Sequence, residues 1–114
     1  MATQTKTLKL NCALVDAGDA VDTAISTMGM KVKSAQDTAD SFHRSAKEKV
    51  NWLSSKWPLH VDVVGRLAGE AVLVEVLAGA GSSIGAKRHV ERKLGELVEL
   101  IKTLSGTAGE TSPT

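Results

Sequence analysis

The side chains able to do chemistry are scattered along the chain. His43, His60 and His89 lie far apart, and no HExxH or H-x3-H pair occurs. Such pairs place two imidazoles on one helical turn, where a metal can take both. Cys12 has no neighbouring histidine to accept its proton, so it reads as a small buried thiol and not as a nucleophile. Asp16, Asp19 and Asp22 are spaced by three, without the alternating ligands and turn glycine of a calcium loop. They read as charge favouring the positive end of a helix dipole. The stretch from Gly79 to Lys87 is glycine-rich, but Gly81 and Gly85 enclose three residues and Ala86-Lys87-Arg88 follows. A phosphate loop needs four residues there, then Lys and Ser or Thr. The expectation is a chain that is not an enzyme, with no catalytic residue, no cofactor and no metal site.

What remains is electrostatic. Lys87, Arg88, His89, Arg92 and Lys93 form a basic cluster relieved by Glu91. Positive charge in the first turns of a helix opposes its dipole. Lys87, Arg88, Arg92 and Lys93 are therefore candidate contacts to phosphate, a lipid headgroup or an acidic partner. The chain as a whole is close to neutral: 14 Lys plus Arg stand against 13 Asp plus Glu, formally +1. A dedicated nucleic-acid binder carries a clearer positive excess. Its aromatic residues, Phe42, Trp52 and Trp57, are too few for base stacking. Nucleic acid is thus not an expected partner. A single cysteine excludes an intramolecular disulfide.

The elements that would carry these residues are read from periodicity. The 114 residues, 42% apolar, suffice for one domain. Leu14, Val21, Met28, Ala35 and Phe42 recur every seven residues. Gly18, Ile25, Val32, Ala39, Ala46 and Leu53 follow four residues behind. Alternating steps of four and three predict one long amphipathic helix from about Asn11 to about Lys56, with a bend near Gly29. An eleven-residue repeat fits too: Ala13, Ala24, Ala35, Ala46, and Ala17, Met28, Ala39, Val50. Within it, Ala35 to Val50 resembles the repeats of late-embryogenesis and lipid-droplet-coat proteins, which implies a surface-coating helix and transfers no residue roles. Pro58 ends the segment, with Trp52 and Trp57 beside the stop.

A second helix is expected from Leu59 to about Ala78. Asp62, Arg66 and Glu70 are four apart and would stack on one helical face. The β-branched run Ala71 to Leu77 offers a strand alternative; the charge ladder favours helix. Gly65/Gly69 and Gly81/Gly85 form small-xxx-small pairs, which allow close backbone approach. Gly79 to Gly81 read as a break, with Ser82 or Ser83 capping a third helix to Leu104. Its stripe is Val90, Leu94, Leu97, Val98, Ile101 and Leu104. The organisation expected is an N-terminal arm over 1–10, a helical domain over 11–104 and a disordered tail over 105–114. The fold class is all-α: the long helix plus a two-helix hairpin, as a three- or four-helix bundle.

These elements imply a function. Two short helices in a hairpin would leave part of the long stripe bare, so either the long helix folds back near Gly29 into a four-helix bundle or another chain covers the stripe. The expected role is a helical structural or assembly protein acting by self-association or docking in a larger complex such as a virion, filament or membrane assembly. Its seam would be Leu14, Val21, Ile25, Met28, Val32, Phe42 and Leu53, its partner a second copy or a helical protein. The alternative is a peripheral membrane binder using amphipathic helices and the apolar Gly-rich hairpin. A spanning helix needs ~20 apolar residues, and the uncharged run Val76 to Ala86 has eleven. Met1 to Leu10 carries two lysines and no long apolar run, and Lys9-Leu10-Asn11-Cys12 is no lipoprotein cleavage context. The expected location is intracellular, cytoplasmic or membrane-associated, or a virion.

Overall fold

In β1 (Ala2–Leu10) Thr3, Thr5, Thr7 and Lys9 alternate with Gln4, Lys6, Leu8 and Leu10. That is the period of two, which sends successive side chains to opposite faces of a sheet. The computed structural model describes residues 2–48, 59–80, 86–105 and 110–113. After β1 come α1 (Leu14–Thr27), β2 (Met30–Asp37), β3 (Ser41–Glu48), β4 (His60–Ala68), β5 (Ala71–Ala80), α2 (Ala86–Ser105) and β6 (Glu110–Pro113). The strands form one sheet in the order β2-β3-β4-β5-β1-β6, every pairing antiparallel.

The fold is therefore α+β, and the all-α bundle and its long coiled-coil helix are corrected. The expected helix from Asn11 to Lys56 ends at Thr27, and its continuation is the β2–β3 hairpin. The bend at Gly29 is a full reversal: Gly29 has φ +73°, a conformation natural to glycine. The helix expected from Leu59 to Ala78 is the β4–β5 hairpin. It turns through Gly69 and Glu70, with Gly69 at φ +67° in the first central position of the turn. The stretch read as an arm is β1, flanked by β5 and β6, and residues 110–113 of the expected tail pair with β1.

Both helices cover one face of the sheet. The α2 helix lies over β1 and β5 and against α1; α1 lies over β2, β3 and β4. Register puts Leu8 opposite Val74, Val63 opposite Val76, Val61 opposite Ala78 and Ala46 opposite Val61, so these side chains share the covered face. They are buried together with Ala17, Val21, Ala24 and Ile25 of α1 and Val90, Leu94, Leu97, Val98 and Ile101 of α2. The third expected apolar stripe thus lies on α2, with Leu104 at its exposed end. Close-packed aliphatic cores of this kind stabilise by ~1.5–3 kcal/mol per fully buried side chain.

Two features fix the layers. Phe42 is buried on β3, opposite Gly65 of β4 and beneath Gly18 of α1. A Cβ at Gly65 would overlap Cε2 and Cζ of the Phe42 ring, so this glycine makes room for the only phenylalanine. Its pairing with Gly69 in an apolar helix is not realised. At the other end of the sheet, Glu48 Oε1 accepts the Leu59 backbone N–H at 3.0 Å and lies 3.0 Å from His89 Nε2. One carboxylate joins the end of β3, the start of β4 and the first turns of α2.

Candidate functional site

Antiparallel order sorts the charges of the chain to two ends. The start of β2, the end of β3, the start of β4 and the start of α2 meet at one end. There Lys31 lies directly opposite Lys47, and Lys47 directly opposite His60. Like charges in directly opposed positions destabilise a sheet. Lys33 is the extra residue of a bulge between Val32 and Ser34 on the edge strand β2. Bulges and lysines both discourage edge-to-edge pairing. Lys87, Arg88 and Arg92 are exposed on the first turns of α2 at the same end. The acidic groups here are engaged: Glu48 with His89 and Leu59, Glu91 with the Gln4 amide at 3.0 Å. Among the described residues this end keeps a positive excess, with Lys31, Lys33, Lys47, Lys87, Arg88 and Arg92 set against the carboxylates of Glu48 and Glu91.

The opposite end gathers the start of α1, the β2–β3 turn and the β4–β5 turn. It holds Asp16, Asp19, Asp37, Asp40 and Glu70, against Arg66 and Lys9. Arg44 is nearby but enclosed, its side chain 9% exposed. Its Nε donates to Asp22 Oδ1 at 2.7 Å and its Nη1 lies 2.9 Å from Asp37 Oδ1. The same Nη1 donates to the His43 carbonyl at 3.0 Å. The Asp22 hydrogen bond raises the Arg44 pKa above its ordinary range, burial opposes it, and Asp37 adds to the rise. Arg44 is a fixed cation tying α1 to β2 and β3, with its donors already answered. Between α1 and the β2–β3 turn lies a pocket of about 240 Å³ floored by Leu14, Gly18 and Phe42, with Asp19, Asp37, Thr38 and Ser41 around it.

A larger open groove, about 1060 Å³, runs beside α2 and is lined by Lys6, Thr27, Met28, Gly95 and Leu100 among others. Its lysines on α2 are paired within the helix, Lys93 with Glu96 at 3.7 Å and Lys102 with Glu99 at 3.6 Å. Among the described residues, no group of three or more His, Cys, Asp or Glu could hold a metal ion. No described helix is long and apolar enough to cross a membrane.

The expected seam is dispersed. Val21, Ile25 and Phe42 are buried in the chain's own core, and Leu14 and Met28 pack against it. Val32 is 37% exposed on the edge strand. Leu53 lies outside the described residues, as do Trp52, Trp57, Pro58, Ser82 and Ser83. Of the expected anion contacts, Lys87, Arg88 and Arg92 share the basic end, whereas Lys93 turns toward Glu96. Lys31, Lys33, Lys47 and His60 were not among the expected contacts; the signal for them is Lys-Val-Lys at strand spacing.

Comparison places the fold among known structures. No protein-family model matches the chain, and no curated protein matches it in sequence. The architecture is similar to the 18 kDa protein CC1736 from Caulobacter crescentus, with a TM-score of 0.51 and 16% identity, covering 94% of this chain and 100% of that one. It is also similar to the vertebrate conserved region of human METTL16, with a TM-score of 0.50 and 9% identity, covering 77% of this chain and 74% of that one. At such identities the likeness concerns the fold alone.

Proposed function

We propose that the chain is a non-enzymatic docking module that holds an acidic protein surface against the basic end of its sheet, as part of a larger assembly. The observation that carries this reading is the direct opposition of Lys31 and Lys47 on the open face of the sheet, at the same end where Lys87, Arg88 and Arg92 begin α2 on the covered face. The opposed Lys31–Lys47 pair costs several tenths of a kcal/mol, in the range of ~0.2–1 kcal/mol for cross-strand pairs. Carboxylates laid across the row relieve that repulsion and gain charge-assisted hydrogen bonds. Rim charges of this kind steer encounter and orient a partner more than they add raw affinity. The apolar seam no longer supplies a reason for association, because its Val21, Ile25 and Phe42 are enclosed by their own chain. The apolar side of α1, with Ala17, Val21, Ala24 and Ile25, is likewise turned into the core, which favours docking through charge over the lipid-surface alternative.

Titration with hexaglutamate tests the reading. Wild type should bind, and Lys31→Glu/Lys47→Glu should bind at least about tenfold more weakly, since tenfold is only 1.4 kcal/mol. Equal affinity of the two proteins, or no binding by wild type at low salt, contradicts it.

A further inference from the structure

The pocket at the acidic end combines features that are separate elsewhere on the molecule. Its floor is apolar, from Leu14, Gly18 and the buried Phe42 ring. Its rim holds the carboxylates of Asp19 and Asp37, the hydroxyls of Thr38 and Ser41, and the Arg44 guanidinium, whose charge Asp22 and Asp37 already answer, so Asp19 is the carboxylate left to meet a new cation. At about 240 Å³ it is smaller than the ~300–1,000 Å³ of sites for drug-sized ligands. Gly18 keeps the floor open, since even an added Cβ would meet Phe42 only at 3.8 Å. Asp37 answers Arg44 with one oxygen, and no ion pair engages Asp19 among the described residues. Val15 stands at the lip, 73% exposed.

An apolar floor with a carboxylate rim fits one kind of group: a side chain with an aliphatic stem and a cationic head. Lysine and arginine bury their stems while the charge stays at the rim. This molecule presents such side chains, exposed, at its other end: Lys87 and Arg88 on the first turns of α2. Charge complementarity between the two ends thus selects the occupant. We infer that the pocket receives a lysine or arginine from the basic end of a second copy, so that copies join head to tail. This rests on the docking reading above and names its acidic surface as the opposite end of the same chain. A head-to-tail contact is heterologous: each copy keeps one free end of each sign, and assembly continues as an open row unless the rotation closes a ring.

Sedimentation at two salt concentrations tests this with three proteins. Wild type at about 0.01 M salt, where the Debye length is ~30 Å, should show a mass rising with concentration. At about 1 M salt, where it is ~3 Å, the mass should fall to the monomer. Asp16→Ala/Asp19→Ala and Lys87→Ala/Arg88→Ala should each be monomeric alone. Their equimolar mixture should form a one-to-one dimer and stop there, because each variant keeps one working end. A monomeric wild type at low salt overturns the inference, as does a mixture that stays monomeric or a variant that self-associates alone. Hexaglutamate separates the two readings. Binding of hexaglutamate by a wild type that remains monomeric removes the head-to-tail pairing and leaves docking standing. Failure of both removes both. Asp16→Ala/Asp19→Ala should still bind hexaglutamate, since its basic end is untouched.

Discussion

Single residues decide where this sequence departs from its apparent helical pattern. Arg44 stands on the covered face of β3, between Phe42 and Ala46, where alternation would demand an apolar side chain. Its charge is carried by Asp22 and Asp37, partners 22 and 7 residues away that no local reading connects. Gly65 is the second such residue. Gly65→Ala should lower stability by ~1–3 kcal/mol, the usual cost of overfilling a core. In Phe42→Leu the ring is gone, so the same substitution should cost much less there. Urea denaturation of the four proteins in that cycle measures the coupling. Equal costs in both backgrounds would contradict the assigned contact. Cys12 gives a test at the same scale. Burial pushes its thiol pKa up and the nearby Asp16 charge adds to the rise. A raised pKa leaves less thiolate at any pH below it, so alkylation should lag behind that of a free cysteine at pH 8 and accelerate only at higher pH. Asp16→Asn should shift the rate profile to lower pH. An unchanged profile would show that Asp16 does not act on the thiol.

At the scale of elements, a spacing of four is ambiguous between the two periodic structures. It is close to one turn of a helix and is also two steps of a strand. Asp62 and Arg66 are four apart because both lie on the open face of β4, opposite Ser45 and Ser41. The alternation of β5 was legible in Val72, Val74 and Val76, but Leu73 and Leu77 on the open face blurred it. In β2 the bulge at Lys33 shifts the phase of the pattern midway. The helix stripes had no such interference. Val90, Leu94, Leu97, Val98 and Ile101 follow three-and-four spacing and are buried on one side of α2. This side fills the space between α1, β1 and β5. Leu94→Ala should therefore cost ~2–5 kcal/mol, the range for emptying a buried leucine site. Exposed Leu104→Ala should cost a fraction of that. Comparable costs would mean that α2 is not held by this stripe.

For the whole molecule, near-neutrality conceals a separation. The chain is formally +1, yet among the described residues the antiparallel strands gather Lys31, Lys47, Lys87, Arg88 and Arg92 at one end and Asp16, Asp19, Asp37, Asp40 and Glu70 at the other. Sequence order mixes them: Asp37 and Lys47 belong to one hairpin and lie at its opposite ends. The basic cluster from Lys87 to Lys93 was legible as charge, while its company with Lys31 and Lys47 depended on topology. That topology also changes the grounds on which association is proposed. The long apolar ridge would have required a covering partner, whereas the folded chain encloses its own core and offers charged ends. The most direct measurement of the docking account is a map of backbone amide shifts during titration with hexaglutamate. The account predicts perturbation at Lys31, Lys47, His60, Lys87, Arg88 and Arg92, reversed by about 1 M salt, where charges are screened beyond ~3 Å. Shifts centred on the groove along α2, shifts indifferent to salt, or no shifts at all would contradict it.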